Sequence, residues 1–159
     1  KDGAKAQPNE PEQKEAKSGE VIVMNKDMFI KDVFDYEKSQ DWKYKGNKPA
    51  IIDLYADWCG PCRMEMPNVV AAYAKYKAKG FGIVGVSLDN DVESWKKAIK
   101  DLNITWPQMS DLKGWQCEGA ALYGVRAIPA TLLVSKDGTI VARDLRGEDL
   151  EAKLAELMK

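Results

Sequence analysis

Short apolar runs alternate with amphipathic segments along most of the chain. The run "PAIIDLYA", from Pro49 to Ala56, is almost continuously apolar, and "FGIVGVSL", from Phe81 to Leu88, has the same character. Such runs are typical of strands buried on both faces of a sheet. The segment between them predicts a long helix over about Cys59 to Lys79, closed by Gly80, because glycine commonly ends helices.

The segments on either side of these runs continue the alternation. On the amino-terminal side, "VIVM" from Val21 to Met24 predicts a first strand, followed by a helix over about Lys26 to Ser39 and a loop containing Trp42 and Tyr44. After the second run, four apolar residues at helical spacing predict another helix. These residues are Val92, Trp95, Ile99 and Leu102. A short strand near Trp106 and a small helix over about Gly114 to Tyr123 are expected next.

The carboxyl-terminal part predicts a hairpin and a last helix. "ATLLV" (Ala130 to Val134) and "TIVA" (Thr139 to Ala142) are joined through an Asp-Gly pair, which favours a tight turn. Leucines at 150, 154 and 157 then mark an amphipathic helix. Interleaved strands and helices that close on a hairpin indicate an α/β fold, with a mixed central sheet flanked by helices.

Residues 1–20 differ from the rest in composition. Alanine is their only apolar residue type apart from two prolines and two glycines, and charges of both signs alternate. Such a stretch buries too little surface to offset its ordering entropy, so it is expected to be a disordered polar linker that precedes one domain over residues 21–159. It has no apolar core like that of a signal peptide. A linker of this kind is consistent with an upstream leader or lipid anchor.

Length and charge exclude several classes of function. A chain of 159 residues suits one domain with a substantial core. The net charge is −1 at pH 7, with no basic block, which argues against nucleic acid as a partner. No apolar run approaches the roughly 18 residues that a membrane span requires.

The residue types available also limit the chemistry. The chain contains no histidine and only three cysteines, Cys59, Cys62 and Cys117. Histidine-dependent nucleophile pairs and histidine-ligated metals are therefore excluded, and a structural zinc site lacks its usual four Cys or His ligands. We expect neither a metal nor a cofactor. Cys117 is interpreted as a small buried apolar residue, with a third redox thiol as the alternative.

The stretch "DWCGPCRMEMP", from Asp57 to Pro67, contains the candidate chemistry. Cys59 lies where a buried strand passes into a helix, and unpaired N–H groups there stabilise a thiolate and lower its pKa. Cys62 follows on the same helical face, so the two sulfurs can form a disulfide. A structural staple is disfavoured, because a three-residue spacing closes too small a loop to stabilise much.

These positions predict a division of labour between the two thiols. Cys59 attacks a target disulfide, and Cys62 then attacks the resulting mixed disulfide and releases the reduced target. Cys62 needs a base for its proton. Asp53 is one candidate, because a carboxylate inside a buried strand is costly without a role. Glu65, one helical turn after Cys62, is the other, and each could instead be a purely structural charge.

These residues resemble the thioredoxin superfamily. The motif A-x-W-C-G-P-C runs from Ala56 to Cys62, the buried acid of thioredoxins matches Asp53, and the helix-kinking proline matches Pro67. The resemblance implies a cis proline at Ile128–Pro129, in "VRAIPAT", facing the cysteines. It also implies that the substrate contacts five residues. These are Trp58, Gly60, Pro61, Ile128 and Pro129.

Within that superfamily the chain resembles the TlpA/ResA-type thiol-disulfide oxidoreductases. Cys62 and Pro129 are separated by 66 residues, more than in plain thioredoxins, which implies an insert between the CxxC helix and the cis-Pro loop. The pattern C-x-x-C-x-x-E-x-P, which includes Glu65, also fits that branch. Asp53 departs from the pattern of that branch, because these proteins commonly have a non-acidic residue at this position. Either Asp53 or Glu65 could therefore be the base that takes the proton of Cys62.

The resemblance implies a protein disulfide reductase that exchanges dithiol and disulfide through Cys59 and Cys62. Its expected partners are disulfide-containing substrate proteins and an upstream electron-donor thiol protein, and the chain itself is expected to be a monomer. A periplasmic or other extracytoplasmic location is expected, with the cytoplasm as the alternative. Two rival functions are a peroxiredoxin-like peroxidase, whose P-x-x-x-T-x-x-C motif is missing, and a redox-inactive binding module.

Overall fold

In the computed structural model, the described residues are 21–23 and 48–159, and residues 21–23 are described by their backbone. Several predictions lie outside the described residues: the linker over residues 1–20, the helix over Lys26 to Ser39, and the loop with Trp42 and Tyr44. Within the described ranges, no helix combines the length and apolar character needed to cross a membrane.

The described strands form one mixed sheet in the order β1-β4-β3-β2-β5-β6. They are β1 (Val21–Val23), β2 (Ala50–Tyr55), β3 (Gly82–Ser87), β4 (Gln108–Ser110), β5 (Ala130–Val134) and β6 (Ile140–Arg143). Neighbours among β1, β4, β3 and β2 pair in parallel, whereas β5 is antiparallel to β2 and β6 is antiparallel to β5. The prediction of a mixed sheet with helices is confirmed.

Helices connect most of these strands. The α-helices of the described residues are α1 (Gly60–Tyr76), α2 (Val92–Asp101), α3 (Glu118–Leu122) and α4 (Gly147–Leu157). Helix α1 continues through Pro67 and is extended by a 3-10 turn at Lys77–Lys79. Gly80 ends it with φ of +93°, a left-handed conformation that favours glycine. The predicted long helix and its glycine stop are therefore both present.

Strand β2 occupies the centre of the core. All six of its residues are buried, and because successive side chains point to opposite faces, both faces of the sheet must be covered there. Ile51, Ile52 and Leu54 are each no more than 1% exposed. The apolar run that identified this strand in the sequence therefore reflects a strand with protein on both sides.

Three boundaries differ from the sequence-based expectation. The strand expected near Trp106 begins at Gln108, where pairing with β3 and β1 becomes possible. The small helix is divided, because Cys117 has ψ of 125° and separates the 3-10 turn Gly114–Gln116 from α3. Strand β6 begins one residue later than predicted, since the Thr139 carbonyl accepts a hydrogen bond from the Ser135 N–H within the hairpin turn.

A glycine in β3 makes room for a buried polar network. Gly85 pairs with Gln108 of β4, and the Gln108 side-chain amide occupies the space that a Cβ on Gly85 would need. The amide oxygen of Gln108 accepts a hydrogen bond from the Tyr55 hydroxyl at 2.5 Å, and the Trp95 indole donates to that hydroxyl at 3.0 Å. This network ties β2, β4 and α2 together inside the core.

Replacing Gly85 with alanine is expected to lower the free energy of unfolding by about 1–3 kcal/mol, because the added methyl group displaces the Gln108 amide from Tyr55. Gly82→Ala is the matched control on the same strand, since its Cβ would meet only Ala50 Cβ, at 4.0 Å. That control should change stability by less than about 1 kcal/mol. Chemical denaturation measures both variants, and equal losses would contradict the account.

Candidate active site

Cys59 and Cys62 form a disulfide at the amino terminus of α1. Cys59 is the N-cap residue of the helix, and its Sγ accepts a hydrogen bond from the Cys62 N–H at 3.2 Å. No acidic side chain lies in the first helical turn. Helix N–H groups and the positive end of the helix dipole would therefore favour a thiolate on Cys59 in the reduced protein.

The loop before Cys59 is held by a buried carboxylate. Asp89, 1% exposed just after β3, accepts hydrogen bonds from the Asp57 N–H at 3.0 and 3.2 Å. The Ser87 hydroxyl donates to the same carboxylate at 2.6 Å. Sequence reasoning did not single out Asp89, although a carboxylate directly after a buried apolar strand is the same kind of signal that identified Asp53.

The loop before β5 faces the disulfide. The Ile128–Pro129 peptide bond is cis, and the Ile128 carbonyl oxygen lies 3.6 Å from Cys59 Sγ. Ile128 is partly exposed, whereas Pro129 is buried. The Arg146 guanidinium donates a hydrogen bond to the Pro129 carbonyl oxygen at 3.1 Å. Arg146, which sequence reasoning missed, thus fastens this loop to the start of α4.

Asp53 lies in the centre of β2 and is 2% exposed. Its Oδ2 has no hydrogen-bond partner among the described residues. Burial, with a smaller contribution from the negative charge of Glu65, raises the pKa of Asp53 to about 7. A carboxyl group with this pKa gains and loses its proton near neutral pH, as a general acid or base does.

Glu65 has a different environment from Asp53. Its Oε1 accepts a hydrogen bond from the Gly147 N–H at 2.8 Å, at the first residue of α4, and its Oε2 accepts one from Asn68 at 3.1 Å. The carboxylate therefore caps a helix that begins 82 positions further along the chain. Both oxygens of Glu65 already have hydrogen-bond donors.

A cavity of about 10 Å³ lies between these groups. Asp53, Cys62 and Glu65 line it together with Pro129 and Arg146. Its volume is at the lower limit of what one water molecule requires, about 10–15 Å³. Both candidate acids thus border the same cavity as Cys62.

The rim of the disulfide is formed by exposed residues. Trp58, Gly60 and Pro61 are all exposed, while Cys59 is 5% and Cys62 is 2% exposed. Four of the five predicted substrate contacts therefore have accessible surface beside Cys59, and Pro129 is the buried exception. Trp115, another residue that sequence reasoning did not assign, lies against Trp58 with ring centroids 6.4 Å apart.

Cys117 is buried and free, and burial raises the pKa of its thiol. A thiol in that state is a weak nucleophile, which favours the structural interpretation of this residue. Across residues 21–23 and 48–159, no group of three or more Cys, Asp or Glu side chains is placed to hold a metal ion.

Known proteins that are similar in sequence include thiol-disulfide oxidoreductases. The chain is 32% identical over 120 residues to the thiol-disulfide oxidoreductase ResA of Bacillus thuringiensis subsp. konkukian, a match that covers 76% of this chain and 65% of that protein. This chain therefore spans just under two thirds of the length of that relative. Such partial coverage leaves part of the relative's length without a counterpart here.

Solved structures show the same similarity in three dimensions. A thiol-disulfide oxidoreductase from Bacteroides fragilis superposes with a TM-score of 0.67 at 36% identity, covering 70% of this chain and 82% of that one. A thiol:disulfide interchange protein from Bacteroides sp. gives 0.63 at 34% identity, covering 70% and 74%. The fold is therefore the thioredoxin-like fold that the sequence motifs imply.

A protein-family model also matches the chain, over residues 28–143. The matched segment includes β2, the CxxC motif, the cis-Pro loop and most of the sheet, whereas Arg146 and Gly147 lie just beyond it. Sequence relatives and structural neighbours agree with it. The chain belongs to the AhpC/TSA family, and within it resembles the thiol-disulfide oxidoreductases.

Proposed function

We propose that the chain is a thiol-disulfide oxidoreductase that reduces disulfides in substrate proteins through Cys59 and Cys62. The observation that carries the proposal is the disulfide at the start of α1, with Cys59 beside an exposed rim and Cys62 beside a buried carboxyl group. A purely structural disulfide requires neither a helix amino terminus nor a neighbouring buried carboxyl group. The relatives named thiol-disulfide oxidoreductase support the same chemistry.

The reaction proceeds in two exchange steps. In the first, the Cys59 thiolate attacks a substrate disulfide, so that a Cys59–substrate S–S bond forms, the substrate S–S bond breaks, and one substrate sulfur leaves as a thiolate. In the second, deprotonated Cys62 attacks Cys59, and the other substrate sulfur leaves. The substrate gains two electrons and the Cys59–Cys62 pair loses them. A dithiol protein must then reduce the pair again.

Asp53 is proposed as the base that takes the proton of Cys62. It borders the same cavity as Cys62, has an oxygen without a hydrogen-bond partner in the described part of the chain, and has a pKa raised to about 7. Proton transfer occurs directly or through one water molecule. A base whose pKa lies near the working pH is the most effective one.

Glu65 is proposed as a positioning residue rather than the base. Its oxygens accept hydrogen bonds from Gly147 and Asn68, and its negative charge helps to raise the pKa of Asp53. Glu65 therefore acts on Cys62 through Asp53. This assignment chooses between the two acids that sequence reasoning left open.

Replacing Cys59 with serine is expected to abolish insulin-disulfide reduction, because serine cannot form the mixed disulfide. Cys62→Ser should still make the first attack and accumulate a Cys59–substrate adduct, detectable by non-reducing electrophoresis and mass spectrometry. Cys117→Ser is the matched control and should keep full turnover. Substantial insulin-disulfide reduction by Cys59→Ser would refute the proposal, and catalytic peroxide reduction with dithiothreitol as the donor that far exceeds disulfide reduction would favour the peroxidase instead.

The rate of the second step is expected to rise with pH through about 7, because Asp53 accepts a proton only when it is ionised. Asp53→Asn should slow that step by roughly 100-fold at pH 7 and move its rise toward the pKa of the thiol itself. Glu65→Gln should move the rise below pH 7, by less than about one pH unit, since it removes a neighbouring negative charge. Stopped-flow release of product from the mixed disulfide measures this step.

Glu148→Gln is the control for that experiment, because it removes an equal charge at the start of α4 from a residue that does not line the cavity. Its pH profile should match that of the wild type.

Equilibrium unfolding of the oxidised protein gives a second readout of Asp53. The pKa of Asp53 is about 7 in the folded protein and about 3.9 in the unfolded chain, so protonated Asp53 favours the folded state at low pH. This contribution to the free energy of unfolding is complete below about pH 3.9 and is lost as the pH rises through about 7.

Asp53→Asn lacks this titration, so its stability relative to the wild type should increase with pH between 4 and 7, by up to about 1.4 kcal/mol per pH unit. Parallel stability curves for the two proteins would show that Asp53 keeps an ordinary pKa. An unchanged second-step rate in Asp53→Asn would remove it from the mechanism and return the role of base to Glu65.

We further propose an extracytoplasmic location and a dithiol protein as the electron donor. Both proposals are supported by the resemblance to ResA-type proteins and by the chemistry of a reductant that must be regenerated. Mass spectrometry of the native protein from its host, after cell fractionation, should find it outside the cytoplasm with a processed or anchored amino terminus. An unprocessed cytoplasmic protein would contradict the location.

A further inference from the structure

Two large aromatic side chains are exposed together on the surface beside the disulfide. Trp58 is 54% exposed and Trp115 is 51% exposed. Their rings are tilted by 52°, at a centroid distance of 6.4 Å, within the range of favourable aromatic pairs. Trp58 and Trp115 together form an aromatic platform.

The aromatic platform differs from the other packed tryptophans of the described chain. Trp95 and Trp106 are fully buried in the core. Indole rings bury large apolar areas when they serve packing, so two adjacent rings that each leave half their surface in water contribute less to folding than they could. Exposed apolar clusters of this kind mark interaction sites.

Two ion pairs lie beside the aromatic platform. Near Trp58, Asp57 forms an ion pair with Arg63 at 2.7 Å. Near Trp115, Lys113 forms one with Glu118 at 3.1 Å. The carboxylate of Asp111, also close to Trp115, accepts hydrogen bonds from the backbone N–H groups of Lys113 and Glu118. These five charged groups already have partners, which favours an apolar partner group for the two rings over a charged one.

The aromatic platform adjoins the atoms proposed to react. Trp58 directly precedes Cys59, and the Cys59 Sγ lies 3.6 Å from the carbonyl oxygen of Ile128, itself a partly exposed apolar residue. A substrate sulfur that reaches Cys59 brings the residues next to its own cysteine over this surface. The substrate segment that flanks the target disulfide therefore contacts the aromatic platform in every reaction cycle.

We propose that Trp58 and Trp115 together bind a large apolar side chain that neighbours the target cysteine in the substrate protein, and that Trp115 thereby sets a preference for apolar flanking sequences. Cysteine is among the residue types most often buried in folded proteins, so its neighbours commonly belong to an apolar core. Such segments become exposed when a substrate protein is unfolded or when its cysteines form non-native disulfides. This inference rests on the proposed disulfide reduction.

The test uses two disulfide-bonded peptides that differ only in the residue after the target cysteine, phenylalanine in one and serine in the other. The ratio of their second-order rate constants with the reduced chain measures the preference. Wild-type protein should favour the phenylalanine peptide by about tenfold, the lower end of what one apolar contact contributes to specificity. The difference should appear in KM rather than in kcat.

Trp115→Ala should reduce this ratio to nearly one, and Trp115→Phe should retain most of it, because phenylalanine keeps an aromatic face. The control is Val141→Ala. Val141 is an exposed apolar residue of β6, whose neighbours Ile140 and Ala142 pair with Val134 and Leu133 of β5, toward the end of the sheet away from Cys59. This control should leave the wild-type ratio unchanged.

Each alternative result has a definite meaning. If the wild type reduces both peptides at equal rates, or if Trp115→Ala keeps the tenfold preference, the proposed binding of an apolar side chain by the aromatic platform is refuted. The proposed disulfide reduction is not affected by that result. If the wild type reduces neither peptide, the proposed function fails and this inference fails with it. A dimer in sedimentation that Trp115→Ala converts to monomer would assign the surface to a second copy of the chain and overturn the proposal.

Discussion

The antiparallel pairing of β2 with β5 is the constraint on which the candidate site depends. Leu54, near the carboxyl end of β2, lies opposite Ala130, the first residue of β5. The chain segments beyond these residues, one leading to Cys59 and the other coming from Pro129, must therefore meet at one edge of the sheet. A one-residue shift in this register would turn every side chain of β2 to the opposite face of the sheet, away from the residues it packs against, so the positions of the cysteines and the cis-Pro loop are fixed together.

The same central strand gives the site its electrostatic character. Asp53 shares β2 with apolar neighbours, and the cost of burying its charge is what raises its pKa to about 7. Glu65 reinforces that effect while it caps α4, and Arg146 at the same helix end donates to the Pro129 carbonyl oxygen. One helix terminus thus connects the active-site helix, the buried acid and the cis-Pro loop. Proton transfer and substrate contact are expected to respond together when this connection is altered.

Local sequence signals predicted the framework well, and long-range contacts account for the remainder. Continuous apolar runs identified β2 and β3 because a strand covered on both faces has no polar side, and the CxxC motif identified the disulfide directly. The start of β4 was misplaced by two residues because pairing partners define it. The roles of Asp89, Arg146 and Trp115 depend on residues distant in sequence, and no periodicity or spacing encodes those contacts.

The central claim is that Cys59 and Cys62 form a reversible redox pair that works as a reductant. Equilibration of the purified chain in dithiol and glutathione buffers, followed by quantification of free thiols, measures the midpoint potential of the pair directly. A reductant should show one reversible two-electron transition more negative than about −200 mV, in the range of reducing thioredoxin-like proteins. A pair that does not titrate, or a midpoint near the roughly −120 mV of a strong oxidant, would contradict it.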